Sequence, residues 1–324
     1  MKVIVKRRLL TLAALIIGTS SAFAQNYPNR PVKILLGYSA GGGIDITARS
    51  LSQKLSQILG QPFIIENKPG AGGTLAAAFI AKAPADGYTL LFGETSQLVI
   101  APHTYKTLTY DPLKDLTPVA LVTTTSLILV SNPQTSIRTI ADLVREAKAN
   151  PGKLSYGSSG IGSIHHLSMK MFEAGAGLDM MHIPYKGSGQ SIQAVLGGEV
   201  PLLLTSMTAA GSHIRAGKLN LLATTSAARI PTHPGTPSLS EVVKDYDFSV
   251  ENGLLAPPGL PADVLAKLSN AIKQAVESPE FMEKIRETPG TAITWTTPEG
   301  YAKNLRENLK KYERAVKLAN LQPE

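Results

Sequence analysis

Four times along this chain a short apolar run of β type ends in a loop of glycine and serine, and a helical period follows. The loops are Tyr38–Gly43, Asn67–Gly73, Gly157–Ser163 and Tyr185–Gly189. A chain that alternates strands and helices in this way is built for α/β architecture. In open α/β sheets such loops lie beyond the carboxyl ends of the strands, where ligands bind.

The elements between the loops follow from periodicity. Val32–Leu36, Phe63–Glu66 and Tyr88–Phe92 read as strands. Ile44, Ala48, Leu51, Leu55 and Leu59 recur at helical steps and Gly60 closes the period, so the spacing predicts a helix of about four turns. Gly73–Ala83 is a helix of small residues. The middle of the chain repeats the theme, with strands at Leu127–Val130, Leu154–Tyr156, Met181–Ile183, Leu202–Thr205 and Leu219–Ala223, and helices at Ile140–Ala149, Ile164–Ala174 and Ser191–Leu196. Residues 227–240 form a linker rich in Pro, Thr and Ser. Helices near 261–277 and 298–319 end the chain.

The first residues direct export. Lys2, Lys6, Arg7 and Arg8 precede the apolar run Leu9–Ile17, and Ala22-Phe23-Ala24 supplies a cleavage site, the layout of a secretory signal over residues 1–24. The apolar run is about half the ~20 residues needed to span a bilayer. The mature chain, about 300 of the 324 residues, exceeds the usual size of one core, so two lobes are expected. We place lobe 1 at 25–124 and 251–324 and lobe 2 at 125–250, with crossings near Val122–Thr125 and Val250–Leu254. No later segment is long and apolar enough to span a membrane. The absence of cysteine removes disulfides, thiolate catalysis and thiolate metal sites. Of the formal charge of +8, four charges belong to the signal. The rest is scattered without an aromatic-interleaved basic stripe, which argues against nucleic acid.

The loops carry the chemistry. The first turn of a helix has N–H groups without intrahelical partners, and the helix dipole places roughly half a positive charge there. Glycine lets the backbone approach a ligand and form anion-holding nests. An anion can be held there without any Arg or Lys. Enzyme signatures are weak: no G-x-S-x-G elbow and no Walker or dinucleotide fingerprint opens a helix. His165 and His166 are adjacent and so diverge on a helix, and no metal or cofactor is expected. Sequence leaves open a Ser159, His166 and Asp45 triad, and with it a secreted serine hydrolase. Asp45 suits a role in capping the helix start and orienting the first loop.

The chain resembles the extracytoplasmic solute receptors of the tripartite tricarboxylate transporter class, the Bug receptors. The resemblance rests on Tyr27-Pro28-x-Arg30-Pro31-Val32-Lys33-Ile34, Ala40-Gly41-Gly42-x-x-Asp45, Glu66 to Gly73, Asp86-Gly87-Tyr88, Tyr110-Asp111-Pro112, Tyr156 to Leu167, Pro184-Tyr185-Lys186-Gly187 and Ala256-Pro257-Pro258-Gly259. It covers essentially the whole mature chain. It implies a two-lobe periplasmic-binding-protein-like fold of type II, the Venus flytrap, each lobe a mixed, mostly parallel sheet flanked by helices, with two hinge crossings. We expect capture of a small mono- or dicarboxylate, aromatic acids included, by a monomer that serves membrane transport subunits; the alternative is a sensory partner that reports ligand to a membrane kinase. Carried onto this chain, the contacts are Tyr38, Ser39, Ala40, Gly41, Gly42 and Asp45, then Asn67 and Gly70, then Ser158, Ser159, Ser163 and His166. Gly187 joins them from the fourth loop.

Four positions depart from the family's pattern. Gly37-Tyr38 replaces Pro-Phe, Gly93-Glu94-Thr95-Ser96 replaces Gly-Thr-Asn or Gly-Thr-Thr, Asn252 replaces Trp, and the run Pro201–Met207 lacks the usual Asp. Ser96 and Thr205 are therefore added to the candidate contacts, at places where ligand side groups would lie.

Overall fold

The computed structural model describes residues 27–230, 233–288 and 290–323. The export signal at 1–24 lies outside the described residues. The strands are β1 (Val32–Leu36), β2 (Phe63–Asn67), β3 (Thr89–Glu94), β4 (Thr117–Ser131), β5 (Ser155–Ser158), β6 (Met181–Pro184), β7 (Leu202–Ser206), β8 (Asn220–Thr224), β9 (Ser249–Ala256) and β10 (Thr291–Ile293). The α-helices are α1 (Gly43–Leu59), α2 (Thr74–Ile80), α3 (Ala101–Thr104), α4 (Ile140–Ala149), α5 (Ile164–Ala176), α6 (Ser188–Leu196), α7 (Met207–Arg215), α8 (Ala262–Val276), α9 (Pro279–Arg286) and α10 (Pro298–Leu318). A wider helical turn, Ser96–Ile100, runs directly into α3.

Two sheets share one plan. In the first, β2, β1 and β3 are parallel neighbours in that order, and β9 lies antiparallel beside β3. In the second, β6, β5 and β7 are parallel neighbours, and β4 lies antiparallel beside β7. One strand serves both. The first part of β4, Thr117–Ser126, pairs with β9, and its last part, Leu127–Ser131, pairs with β7 and β8. The sheet therefore changes inside an unbroken strand rather than in a loop.

The elements form for the reasons their sequences give. Strands buried on both faces carry continuous apolar runs, and Val32, Ile34, Leu35 and Leu36 are all sealed from solvent. Helix α1 buries Ala48, Leu51 and Leu55 on one stripe and ends at Gly60 in the left-handed region. Burying a Leu side chain of this kind contributes about 1.5–3 kcal/mol. Helix α4 opens with a capping box between Thr139 and Asp142.

Five stretches differ from expectation. Strand β4 extends ten residues before Leu127, through a threonine-rich stretch that lacks a clear apolar period. Helix α7 is written in Thr208, Ala209, Ala210, Gly211 and Ser212, which carry little periodicity. Helix α9 and strand β10 lie in a charged stretch between the two tail helices, where periodicity predicts neither. Ser96–Thr104 is helical although its pattern is interrupted by Pro102, a residue tolerated here at the start of α3.

Candidate functional site

All four glycine loops leave the carboxyl ends of parallel strands, β1, β2, β5 and β6. Two further strands, β3 and β7, also end in helices, at Ser96 and at Met207. The topology thus collects six strand ends.

In the first lobe the loops are tied to each other. Tyr38 is half-buried, while Ser39, Ala40, Gly41 and Gly42 stand exposed ahead of α1. The Asn67 amide donates to the Tyr38 carbonyl at 2.9 Å and to Asp45 Oδ1 at 3.0 Å. The Tyr38 hydroxyl lies 3.0 Å from the Gly72 carbonyl oxygen and is also bonded to the Glu94 carboxyl. Gly37 and Gly73 pack so closely that a Cβ on Gly37 would fall 2.5 Å from the Gly73 Cα. Gly73 has φ 89°, and a Cβ there would fall 1.9 Å from Gln97 Oε1. Gly70 opens the turn with φ 143°.

Asp45 turns inward. It is 3% exposed and accepts from the Gly41 N–H at 3.0 Å and from Arg49 Nε at 2.8 Å. Burial works against its charge, but the hydrogen bonds from Arg49, Asn67 and Gly41 outweigh it and hold the carboxyl below its ordinary value. Its carboxylate is a strut of the loop and does not face the cleft.

In the second lobe Ser158 is fully buried. Its hydroxyl lies 3.1 Å from the Gly160 carbonyl and 2.6 Å from His182 Nε2. His166 accepts from the Gly162 N–H at 3.2 Å, and its ring stacks on His182 at 3.8 Å. Ser163 caps α5 by accepting from the His166 N–H at 3.3 Å. Burial, aided by neighbouring positive charge, lowers the imidazoles to about 3 for His166 and about 4 for His182, so both are neutral. The Gly187 N–H donates to the Ser159 carbonyl at 3.2 Å and joins the third and fourth loops.

The hydrolase triad does not assemble. Ser159 Oγ meets His165 Nδ1 at 2.6 Å, not His166. His166 is taken by Gly162 and His182, and Asp45 is locked in the first lobe. The physical reason lies in the helix: consecutive residues diverge, so only one of the two histidines can turn toward Ser159, and it is His165.

A cleft of about 440 Å³ brings the lobes together. It is lined by Ala71, Gly72 and Thr74 from the second loop, and by Ser96, Ile100, Ala101, Thr104 and Tyr105 from one face of the helix after β3. Ile161, Gly162 and Ser163 close it from the third loop, with Leu321 and Gln322 of the C-terminal segment. Among the expected contacts, Ser96 and Ser163 line this cleft. Gly43, at the end of the first loop, also approaches the second lobe, with its Cβ position 4.0 Å from Thr208 Oγ1. Thr205 is 1% exposed on β7, and its hydroxyl has no partner among the described residues.

Sequence reasoning missed the wall from Ser96 to Tyr105 except for Ser96. Its signal is the spacing of Ser96, Ile100 and Thr104, one face of a helix. Leu321 carries no signal, because only the folded chain brings it to Gly162, whose Cβ position is 3.6 Å away. Glu94 stands out in the sequence only as a departure. It is 9% exposed, and burial pushes its carboxyl up from the ordinary range against hydrogen bonds from Tyr38 and Ser96. Among the described residues lining the cleft, none is a lysine, arginine, aspartate or glutamate.

This geometry has counterparts. The family described as "Tripartite tricarboxylate transporter family receptor" matches residues 47–321. A UPF0065 protein of Bordetella pertussis is 37% identical over 278 residues, covering 86% of this chain and 85% of that protein. The structure of R. palustris Rpa4515 with adipate aligns at a TM-score of 0.79 and 30% identity, over 92% of this chain and all of that one. Periplasmic binding protein BugD aligns at a TM-score of 0.76 and 30% identity, again over 92% of this chain and all of that one. The expected two-lobe, mixed α/β periplasmic-binding-protein fold is thereby borne out.

Proposed function

Because the chain belongs to the tripartite tricarboxylate transporter receptor family, we propose that it is a periplasmic receptor that captures a small carboxylate, without turnover, for membrane transport subunits. The ligand is a mono- or dicarboxylate, aromatic acids included. Export precedes cleavage after Ala24, and the receptor acts as a monomer. Lobe 1 comprises 25–124 and 251–324, lobe 2 comprises 125–250, and closure of the two about their crossings buries the ligand.

One observation carries the reading: the cleft between Gly72, Thr74 and Ser96 on one side and Gly162 and Ser163 on the other is lined by glycine loops and hydroxyl side chains, with no cationic side chain. The 13-residue helix α5 begins at that edge, and helix starts hold anions through amides and dipole alone. Ser39, Ala40 and Gly42 supply N–H groups from exposed positions of the first lobe, Gly41 ties its own to Asp45, and Gly70 stands at the turn of the second loop. Tyr38, Asn67 and Asp45 support these loops from behind. Ser158, His166 and Thr205 shape the far wall, and Ser159 and Gly187 complete its rim. The uncharged lining separates this from a site that selects by fixed positive charge. A hydrolase reading gains nothing from the geometry, since its three residues are apart.

The test is a thermal-shift panel of carboxylic acids, adipate among them, on protein purified without refolding. A bound acid raises the melting temperature by mass action, about 2.7 kcal/mol at a hundredfold excess over Kd. A panel in which no acid shifts the melt, while ester or amide probes are consumed, would overturn the receptor reading.

A further inference from the structure

The Tyr38 hydroxyl has one proton and lies beside the Gly72 carbonyl at 3.0 Å, the Glu94 carboxyl and the Ser96 side chain. A carbonyl can only accept. Burial holds the Tyr38 phenol well above its ordinary range, so the phenol keeps its proton. The contacts to Gly72 and to Glu94 are both satisfied when the carboxyl brings a second proton. Glu94 then donates to Tyr38, Tyr38 donates to Gly72, and the Ser96 N–H at 3.2 Å donates to the same carboxyl oxygen.

We propose that Glu94 is a positioning residue of the cleft: held as the neutral acid, it acts through Tyr38 to fix the Gly72 carbonyl, and with it the second glycine loop. The role rests on the reading that Gly72 and Ser96 face the ligand. A neutral acid there leaves the cleft floor without a negative charge that would repel a carboxylate.

The surroundings favour the neutral form. Glu94 is 9% exposed, and burial outweighs its hydrogen bonds. The ionisable groups about it are tyrosines: Tyr38 from the first loop, Tyr110, which acts on that phenol, and Tyr312 from α10. Lys68 of the second loop is directed to Glu66 at 3.7 Å and to the Phe79 ring. Across the strand pair, the residue opposite Glu94 is Asn252, an amide. The next carboxyl on β9, Glu251, is taken by Asn304 and Asn308. Among the described residues no lysine or arginine acts on Glu94.

Glu94→Gln keeps the shape of the side chain and removes its titrating proton; because Tyr38 and the Ser96 N–H meet the same oxygen, the amide satisfies one of the two contacts, so the pH slope and not the absolute melting temperature is the readout. The test follows the melting temperature of wild type and E94Q, without ligand, from pH 4.5 to 8. A carboxyl whose folded pKa is raised binds more protons folded than unfolded, so its contribution falls as pH rises above the unfolded value. E94Q has no such loss. The expected result is that E94Q starts at an offset from wild type near pH 4.5 and gains on it by roughly 3 °C per pH unit above that, until Glu94 ionises. Other titrating groups cancel in the difference. Glu94→Ala, which cannot donate, melts below both. A wild type-minus-E94Q infrared difference spectrum at pH 7 should carry one protonated-carboxyl stretch. A wild type that gains on E94Q with rising pH, a constant difference, or a spectrum without that stretch overturns the proposal. Because no ligand is used, the outcome stands apart from that of the receptor reading.

Discussion

The Asn67 side-chain amide donates to the Tyr38 carbonyl, and that single contact joins two loops that are 29 positions apart in the chain. The same amide reaches Asp45 Oδ1, and Arg49 closes the ring by donating to Asn67 Oδ1 at 3.0 Å. The first and second glycine loops are therefore one rigid unit, fixed before any ligand arrives. Preorganisation of this kind reduces the ordering cost of binding.

Replacing Asn67 tests this. Asn67→Ala leaves Asp45 Oδ1 and the Tyr38 carbonyl without their donor, while Gly41 and Arg49 still hold Asp45 Oδ2, at a cost of about 1–3 kcal/mol for an orphaned group. Urea unfolding should show a lower midpoint. Calorimetry should show a loss of affinity for any acid that shifts the melt of the wild type. A variant with lower stability and unchanged affinity would separate the strut from the binding loops.

Gly73→Ala should be among the most damaging single substitutions. The residue has φ 89°, and the new methyl would lie 1.9 Å from the fully buried Gln97 amide. Backbone strain at a positive φ costs on the order of 1–3 kcal/mol, and displacement of Gln97 adds to it. Expression of folded protein and a melting curve are sufficient readouts. A near-wild-type melt would mean that Gln97 can move away freely.

Much of this architecture is legible in the order of residues. Ala48, Leu51, Leu55 and Gly60 announce α1, because burial of one stripe and a left-handed stop are local demands. The glycine loops announce strand ends for the same reason. The ties between loops are not legible, since Tyr38, Asn67 and Asp45 meet only after β1 and β2 pair. The partner of His166 is another such case. His182 reaches it from β6 while His166 sits on α5, and no spacing rule links the two. The cleft wall at Ile100 and Thr104 is hidden by Pro102, which reads as a breaker within a run but is harmless at a helix start.

Acid should weaken the second lobe through its histidines. His166 and His182 have folded values of about 3 and about 4, below the unfolded value near 6.5. A group depressed in the fold binds more protons unfolded, so its stabilisation is present above pH 6.5 and is lost as pH falls toward the folded value. For His166, which is 5% exposed, the loss between pH 7 and 5 is about 2 kcal/mol. Urea midpoints across that range, compared between wild type and His166→Gln, measure it. An acid slope unchanged in the variant would place the effect elsewhere.

Ser159 and His165 invite a catalytic reading, since they lie 2.6 Å apart, but the pair lacks what catalysis requires. Burial alone pushes the His165 imidazole down to about 4, and its Nε2 has no partner among the described residues. A general base that weak gains little proton affinity near neutral pH, and no carboxylate orients it. Wild type and Ser159→Ala should therefore give equal, background consumption of ester and amide probes. Turnover that disappears in the variant would revive the hydrolase.

Ile161 offers the cleanest separation of binding from folding. It is 66% exposed on the rim of the cleft, so the free protein gains little from it, and substitutions at such positions usually fall within about 0.5 kcal/mol. A bound acid with an apolar body, covered by this loop on closure, would bury part of the side chain against itself. At about 25 cal/mol per Å², covering a fraction of an isoleucine gives about 1 kcal/mol. Ile161→Ser should thus leave the ligand-free melting temperature unchanged and weaken binding several-fold for aromatic or long-chain acids. Short, fully polar acids should lose less, because their carboxylates are met by amides and hydroxyls that the substitution does not touch. Titration calorimetry of both ligand kinds against wild type and variant reads the difference directly. Equal losses for both would mean that Ile161 sets the loop's shape rather than covering the ligand's apolar part.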